Sequence, residues 1–189
     1  MKLNLGCGSA RLDGWVNVDR EASLRPEQVW DLERFPWPWP DSSVDEILLK
    51  HVLEHLGQRT DIFIGVIGEL WRVCRNGTLI TIEVPHPRHD GYLSDPTHVR
   101  PILPATLALF DQSLNRAWAD RGIPNTPLGL IHGVDFRIDD VVYNLAEPWR
   151  SRLAAGELGQ AEGEEAVNRY NNVVESVITR WRVVKSETR

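Results

Sequence analysis

Glycines and carboxylates near the start of the chain have the types and spacing of a nucleoside-binding site. A short apolar run ends at the turn Gly6-Cys7-Gly8, and a second apolar run ends at Asp19. Glycine lets a ligand approach the backbone closely, and a carboxylate at the tip of the neighbouring strand can accept hydrogen bonds from both ribose hydroxyls. Asp31 follows a third short apolar stretch. We therefore expect three strand ends to meet on one nucleoside.

The short interval between Gly8 and Asp19 argues against a dinucleotide site. Only residues 9–14 separate the glycine turn from the second apolar run. Dinucleotide-binding units place their acidic residue about 20 residues after the turn. The helix that normally connects these two strands is therefore expected to be shortened or absent.

A proline-rich segment at 85–104 concentrates histidines and acidic residues. A loop of this length in a compact domain is usually functional or disordered. Three interpretations are open. His98, together with Asp95, acts as a base towards a hydroxyl; the loop binds a divalent metal; or its histidines only bond to the backbone. The groups concerned are His86, His89, Asp90, Asp95 and His98.

A third motif, His51-Val52-Leu53-Glu54-His55, has the His-x-x-Glu-His pattern of inverted zinc peptidases. In those enzymes two histidines one helical turn apart hold the metal and the glutamate acts as base. The chain is short for such a peptidase and offers no obvious third carboxylate ligand on a following helix. Local pairing of Glu54 with His55 is the other interpretation, and we assign no metal site.

Apolar periodicity places these groups on alternating strands and helices. The predicted strands are 3–5, 16–18, 29–30, 43–49, 78–84, 134–145 and 173–184, and the predicted helices are 51–56, 60–74 and 105–119. A left-handed cap at Asn76-Gly77 is expected to end the second helix. The prolines of 35–40 exclude a helix there. Within that loop, packing is the favoured role for at least one of Trp37 and Trp39.

The expected fold is α/β and Rossmann-like. It is a doubly wound, mostly parallel sheet, with strands 134–145 and 173–184 forming an antiparallel hairpin at the edge. The 189 residues are interpreted as one domain. A loop or lid at about 85–133 and a polar helical excursion at about 150–171 complete it.

Composition limits the partners. The net charge of −6 argues against a binder of nucleic-acid phosphates. The longest apolar runs are too short for a membrane span, and because the glycine turn comes so early we expect no leader. Cys7 and Cys74 do not make a disulfide framework, so a reduced, cytoplasmic location is expected.

At this point the sequence resembles a known family. The ordered motifs resemble the class I S-adenosylmethionine-dependent methyltransferases, most closely the short type-11-like branch that is often associated with sugar and cell-envelope glycan pathways. The resemblance covers most of residues 2–100. The motifs are Leu3-Asn4-Leu5-Gly6-Cys7-Gly8, Gly14-Trp15-Val16-Asn17-Val18-Asp19, Asp31-Leu32, Phe35-Pro36, Pro40-Asp41-Ser42-Ser43-Val44-Asp45 and His51-Val52-Leu53-Glu54-His55-Leu56.

The resemblance implies S-adenosylmethionine as cofactor and a role for individual residues. Gly6 and Gly8 would let the turn pass under the methionine and ribose parts, and Asp19 would hold the ribose hydroxyls. Asp31 would accept from the adenine amino group, and His51 would lie near the sulfonium. Asn4 departs from the family, which usually has an acidic residue there. The implied cofactor-binding set is Asn4, Leu5, Gly6, Cys7, Gly8, Asp19, Asp31, Leu32 and His51.

The resulting hypothesis is a methyltransferase that acts on a small, hydroxylated acceptor such as a sugar or glycan precursor. His98, with Asp95, is the candidate catalytic base, and the loop 85–104 and the segment 105–133 would form the acceptor side. The alternative is a non-catalytic scaffold that binds the cofactor or its demethylated product. No nucleic-acid partner is expected, and a homodimer is compatible with the sequence.

Overall fold

In the computed structural model, which describes residues 1–186, seven strands form one sheet. The strand order is β3-β2-β1-β4-β5-β7-β6. The strands are β1 (Lys2–Leu5), β2 (Val16–Asp19), β3 (Gln28–Val29), β4 (Val44–Lys50), β5 (Cys74–Pro85), β6 (Phe136–Leu145) and β7 (Val174–Val183).

The direction of the strands confirms the expected fold class. Strands β1 to β5 pair in parallel. β7 pairs antiparallel with both β5 and β6, so the β6–β7 hairpin forms the edge. Parallel neighbours bring the carboxyl ends of β1, β2 and β4 to the same side of the sheet, where open α/β sheets bind their ligands.

Seven helices connect the strands within the described residues. Two 3-10 turns, Ala22–Leu24 and Leu53–His55, add short connections. None of the helices in residues 1–186 has the length and apolar character needed to cross a membrane. The helices are α1 (Thr60–Val73), α2 (Asp90–Leu93), α3 (Pro104–Ala108), α4 (Gln112–Asp120), α5 (Leu128–His132), α6 (Trp149–Ala154) and α7 (Gln160–Arg169).

The hydrophobic core lies on one face of the sheet. Strand register places Leu3, Ile47 and Ile80 side by side, and Trp181 of β7 lies next in the row. All four are fully buried. The buried side chains of α1 and Phe110, which follows α3, belong to the same cluster, so the helices α1 and α3 cover this face.

On the opposite face, a doubly wound sheet would have helices in the β1–β2 and β2–β3 connections. Here both connections consist of turns. The β1–β2 connection has no helix among its residues, as expected, and the β2–β3 connection has a single 3-10 turn. Side-chain amides hold the first of these loops instead. The Asn4 amide nitrogen donates to the Ala10 carbonyl at 2.9 Å and to Asn17 Oδ1 at 2.7 Å, and Asn17 bonds both the N–H and the carbonyl of Leu12.

Some predicted boundaries were wrong. The helix predicted at 51–56 is only the 3-10 turn Leu53–His55. No left-handed cap ends α1, because the chain passes from Val73 directly into the extended Cys74 of β5. The helix predicted at 105–119 is divided into α3 and α4.

The tryptophans of the proline-rich loop are packing residues. Trp37 and Trp39 are 3% and 5% exposed and contact each other edge to face, with centroids 5.6 Å apart. Arg72 of α1 donates to the backbone carbonyls of both. The loop therefore packs against α1, as favoured for at least one of the two.

Candidate functional site

The first turn of the site depends on the lack of a side chain at Gly6. Gly6 follows β1 directly and has φ +64°, in the left-handed region that favours glycine. A Cβ at this position would lie 2.5 Å from Cγ2 of Val52. The glycine turn can therefore pass close to the segment that follows β4.

Backbone N–H groups hold the carboxylates of two strand ends in place. Asp19 Oδ2 accepts from Gly8 N at 2.8 Å, and Oδ1 accepts from Glu21 N at 2.9 Å. Asp31 Oδ1 accepts from Glu33 N at 3.0 Å. Each carboxylate oxygen can accept more than one hydrogen bond, so both groups are oriented and still able to bind a ligand.

These groups line a first cavity of about 530 Å³ at the carboxyl ends of β1 to β4. Sequence reasoning missed Trp30, which lines the same cavity. Its indole Nε1 is buried and has no hydrogen-bond partner in the part of the chain that the structure describes. Its position immediately before Asp31 was the available signal. The predicted residues that line this cavity are Gly6, Asp19, Asp31, Leu32 and His51.

Four residues of the implied cofactor set do not line the first cavity: Asn4, Leu5, Cys7 and Gly8. Asn4 is 4% exposed, and its amide nitrogen is used to hold the β1–β2 loop. Burial, with the nearby Asp19 and Glu27 carboxylates, raises the pKa of the Cys7 thiol, so this thiol is not activated.

His51 lies where β4 ends, as expected, and its backbone conformation is unusual. It has φ +54°, which is uncommon outside glycine and costs conformational energy. Its Nδ1 lies 3.5 Å from Glu54 Oε1 and its Nε2 3.8 Å from Glu83 Oε1. The Glu54 carboxylate, assisted by Glu83, raises the pKa of His51.

A second cavity of about 680 Å³ adjoins the first. His51 and His55 line both cavities, so the two meet at the end of β4. The second cavity is built from the loop 85–104 and from parts of β5, β6, β7 and α6. The segment 105–133, predicted to join this side, lines neither cavity.

The histidines of the loop 85–104 take different roles. His98 and His89 line the second cavity with Asp95, whereas His86 and Asp90 do not. His86 Nδ1 accepts from Arg88 N at 3.2 Å, and burial lowers its pKa. His98 Nε2 lies 3.8 Å from Asp95 Oδ2. The structure therefore brings the predicted pair His98 and Asp95 together at the cavity wall.

The zinc-peptidase arrangement does not form. That arrangement needs both histidines of the motif on one α-helix, one turn apart. Here His51 has φ +54° at a strand end, and only Leu53–His55 forms a 3-10 turn. The motif instead places its side chains at the junction of the two cavities.

Comparison with known proteins rests on structure. No protein-family model matches the chain, and no curated protein matches its sequence. A SAM-dependent methyltransferase from Archaeoglobus fulgidus matches with a TM-score of 0.62 and 17% identity, over 96% of this chain and 85% of the other. The chain has the fold of the SAM-dependent methyltransferases.

Two further structures show how far the shared fold indicates a shared function. A putative type 11 methyltransferase from Sulfolobus solfataricus matches with a TM-score of 0.51 and 13% identity, over 100% of this chain and 86% of the other. The cyclase SpnF matches with a TM-score of 0.52 and 17% identity, over 98% and 75%. The methyltransferase fold thus also occurs in a protein named for another reaction, and function must be argued from the site.

Proposed function

We propose that the chain is an S-adenosylmethionine-dependent methyltransferase that acts on a small, hydroxylated acceptor. The observation that carries the proposal is the junction of two cavities at His51 and His55. Methyl transfer needs a cofactor and an acceptor in adjoining sites, aligned so that the acceptor attacks the methyl carbon from the side opposite sulfur.

The first cavity fits the cofactor. Asp19 would accept from the ribose hydroxyls, and Asp31 from the adenine amino group with the Trp30 indole nearby. The methionine part would pass Gly6, which brings the sulfonium towards His51. The carboxylates of Asp19 and Asp31 also suit a ligand that carries positive sulfonium and ammonium groups.

The second cavity fits an acceptor that donates hydrogen bonds. Its wall carries histidines, and the carboxylates of Asp95 and Glu175 there can accept from hydroxyl groups. In the metal-free protein we assign His98 as the base: as the acceptor oxygen bonds to the methyl carbon and the sulfur–carbon bond breaks, His98 Nε2 takes the hydroxyl proton. Asp95 would stabilise the resulting imidazolium.

The compartment proposed with this function is the cytoplasm. Cys7 and Cys74 are both buried and free in the structure. Burial raises the pKa of Cys74 to about 12, so its thiol stays protonated. Such cysteines fit a reducing compartment.

Calorimetric titration with S-adenosylhomocysteine, the demethylated cofactor, tests the proposal. We expect micromolar binding by the native chain and at least about 100-fold weaker binding by Asp19→Ala, because two hydrogen bonds to a charged group are lost. Asp13→Ala is the control, since Asp13 is an exposed carboxylate of the preceding loop. No binding at millimolar ligand, or equal affinities for the two variants, would contradict the proposal.

A further inference from the structure

Three potential metal ligands meet at the wall of the second cavity. One ligand atom each of Glu54, His55 and His98 lies within 4.8 Å of the other two. Glu54 and His55 come from the 3-10 turn after β4, and His98 comes from the loop 85–104. The Glu54 carbonyl accepts from Val99 N at 2.9 Å and from Arg100 N at 3.2 Å, so the backbone itself holds the two segments together.

His55 and His98 each form hydrogen bonds through Nδ1, which leaves Nε2 of both rings free to bind a metal. His98 Nδ1 lies 2.7 Å from the Tyr92 carbonyl; a carbonyl only accepts, so Nδ1 carries the proton and Nε2 a lone pair. His55 Nδ1 lies 3.3 Å from the Thr97 carbonyl and 3.0 Å from Thr97 Oγ1, which itself donates to Asp95. His55 Nδ1 is therefore also the donor. Metal-binding histidines usually show this arrangement, with the second nitrogen donating to a carbonyl or similar group.

The carboxylate of Glu54 lacks the partners that a buried charge needs. Glu54 is 1% exposed, and within the described residues 1–186 neither carboxylate oxygen has a hydrogen-bond partner. The nearest basic group is His51 Nδ1, at 3.5 Å. Burying a carboxylate without a partner is costly unless a charge or a metal compensates it. This is a second observation, independent of His55 and His98, that points to a cation as the partner of Glu54.

We propose that Glu54, His55 and His98 bind a divalent transition metal, with zinc as the metal that the donor set fits best. Two imidazoles and a carboxylate are the donors of a catalytic zinc site, which keeps a fourth position open for an exogenous ligand. Imidazole also favours zinc and its neighbours over magnesium or calcium. The open position faces the second cavity, where Asp95 or an oxygen of the bound molecule would complete the coordination.

The distances are compatible with such a site. Zinc–nitrogen and zinc–oxygen bonds of about 2.1 Å in a tetrahedron place the donors roughly 3.4 Å apart. The donors of Glu54, His55 and His98 are separated by up to 4.8 Å. A contraction of up to about 1.4 Å is therefore needed, which side-chain rotations can supply.

The metal would change the role of His98. A ring nitrogen that ligates a metal has no lone pair for a proton, so ligation and base catalysis by His98 exclude each other. A bound metal would instead lower the pKa of an acceptor hydroxyl placed in its open position. Only this role depends on the proposed function; the binding of zinc does not.

Zinc binding can be measured by competition with a chromophoric chelator, with no cofactor present. We expect one zinc ion per native chain, and at least about 100-fold weaker binding by Glu54→Gln and by His98→Ala, since even the loss of a group that only supports a ligand costs 10–100-fold. His89→Ala is the matched control. His89 lines the same cavity, but its Nδ1 accepts from Gly91 N instead, and we expect its affinity to stay close to native.

Thermal unfolding with and without zinc shows whether each variant is folded. Zinc should raise the unfolding temperature of the native chain and of His89→Ala, and should leave Glu54→Gln and His98→Ala unchanged. Native affinity in Glu54→Gln, or an equal loss in His89→Ala, would overturn the assignment. Because S-adenosylhomocysteine binding is measured separately, failure of the zinc site and failure of the proposed function give different results.

Discussion

The two cavities differ in how the chain builds them. Residues 6–33 and the segment around β4 supply most of the first cavity, from the ends of neighbouring parallel strands. The second cavity combines residues from His51 to Ser176, on strands, loops and α6. The order of neighbouring strands is therefore enough to form most of the first cavity. The second cavity forms only when segments far apart in the sequence fold together.

The electrostatics of the two cavities differ in the same way. In the first cavity backbone N–H groups hold the carboxylates of Asp19 and Asp31. In the second, Glu54 is buried without a hydrogen-bond partner among residues 1–186, and His51, where the two cavities meet, has positive φ. Glu54 and His51 both lie where reactive groups are expected. In the proposed function, the first cavity would bind the cofactor and the second would carry the reacting groups.

The largest effect that would separate the roles of the two cavities is the loss of methyl transfer expected for His98→Ala. Removal of a base or of a metal ligand should lower methyl transfer by about 100- to 10,000-fold, while S-adenosylhomocysteine affinity changes less than about twofold. Transfer of a labelled methyl group to an acceptor found in cell extracts gives the rate, and calorimetry gives the affinity.

Asp90→Asn is the control for His98→Ala. Asp90 lies in the first turn of α2, in the same loop, but lines neither cavity. The control should keep native transfer. Loss of cofactor binding in His98→Ala would break the comparison, because a side chain of the second cavity would then be needed for binding in the first.

Sequence reasoning succeeded where local patterns determine structure. The strand ends at Gly6, Asp19 and Asp31 follow from short apolar runs, and their meeting follows from parallel pairing. The cluster of Glu54 with His98 could not be derived in this way. It requires knowing that the loop 85–104 folds back onto the turn after β4, and no periodic pattern encodes that contact.

A smaller effect is expected from Gly6→Ala. The left-handed φ of Gly6 and the 2.5 Å approach to Val52 Cγ2 should together destabilise the protein by about 3 kcal/mol and weaken cofactor binding. Chemical denaturation and calorimetry measure the two effects. Gly14→Ala separates the causes, because Gly14 has φ +79° but nothing within 4 Å of an added Cβ, so it should cost about 1 kcal/mol.

A double variant identifies the clash at Gly6. Val52→Ala removes the methyl groups that the new Cβ would meet, so Gly6→Ala should cost less in that background than in the native chain. An equal cost in both backgrounds would mean that the backbone conformation alone requires glycine. The close approach of residue 6 to Val52 would then have no part in the requirement for glycine.

The wrong boundaries have local physical causes. At 51–56 the apolar pattern suits a helix, but the left-handed His51 prevents a regular start. At Asn76-Gly77 the expected left-handed glycine is present, with φ +80° at Gly77, but inside β5. A glycine signal shows that the chain turns and not which element contains the turn.

The smallest expected effect concerns Asn4, the residue on which family resemblance and structure differ most. Resemblance assigns it to the cofactor, whereas its amide bonds Ala10 and Asn17 on the face that lacks a helix. Asn4→Ala should then cost about 1–2 kcal/mol of stability and leave the affinity of the folded protein for S-adenosylhomocysteine unchanged. A double-mutant cycle with Asn17→Ala should give a coupling of about 1 kcal/mol. A tenfold loss of affinity with no loss of stability would instead place Asn4 in the cofactor site. The Asn4 hydrogen bonds would then not explain how the β1–β2 loop is held in place without a helix.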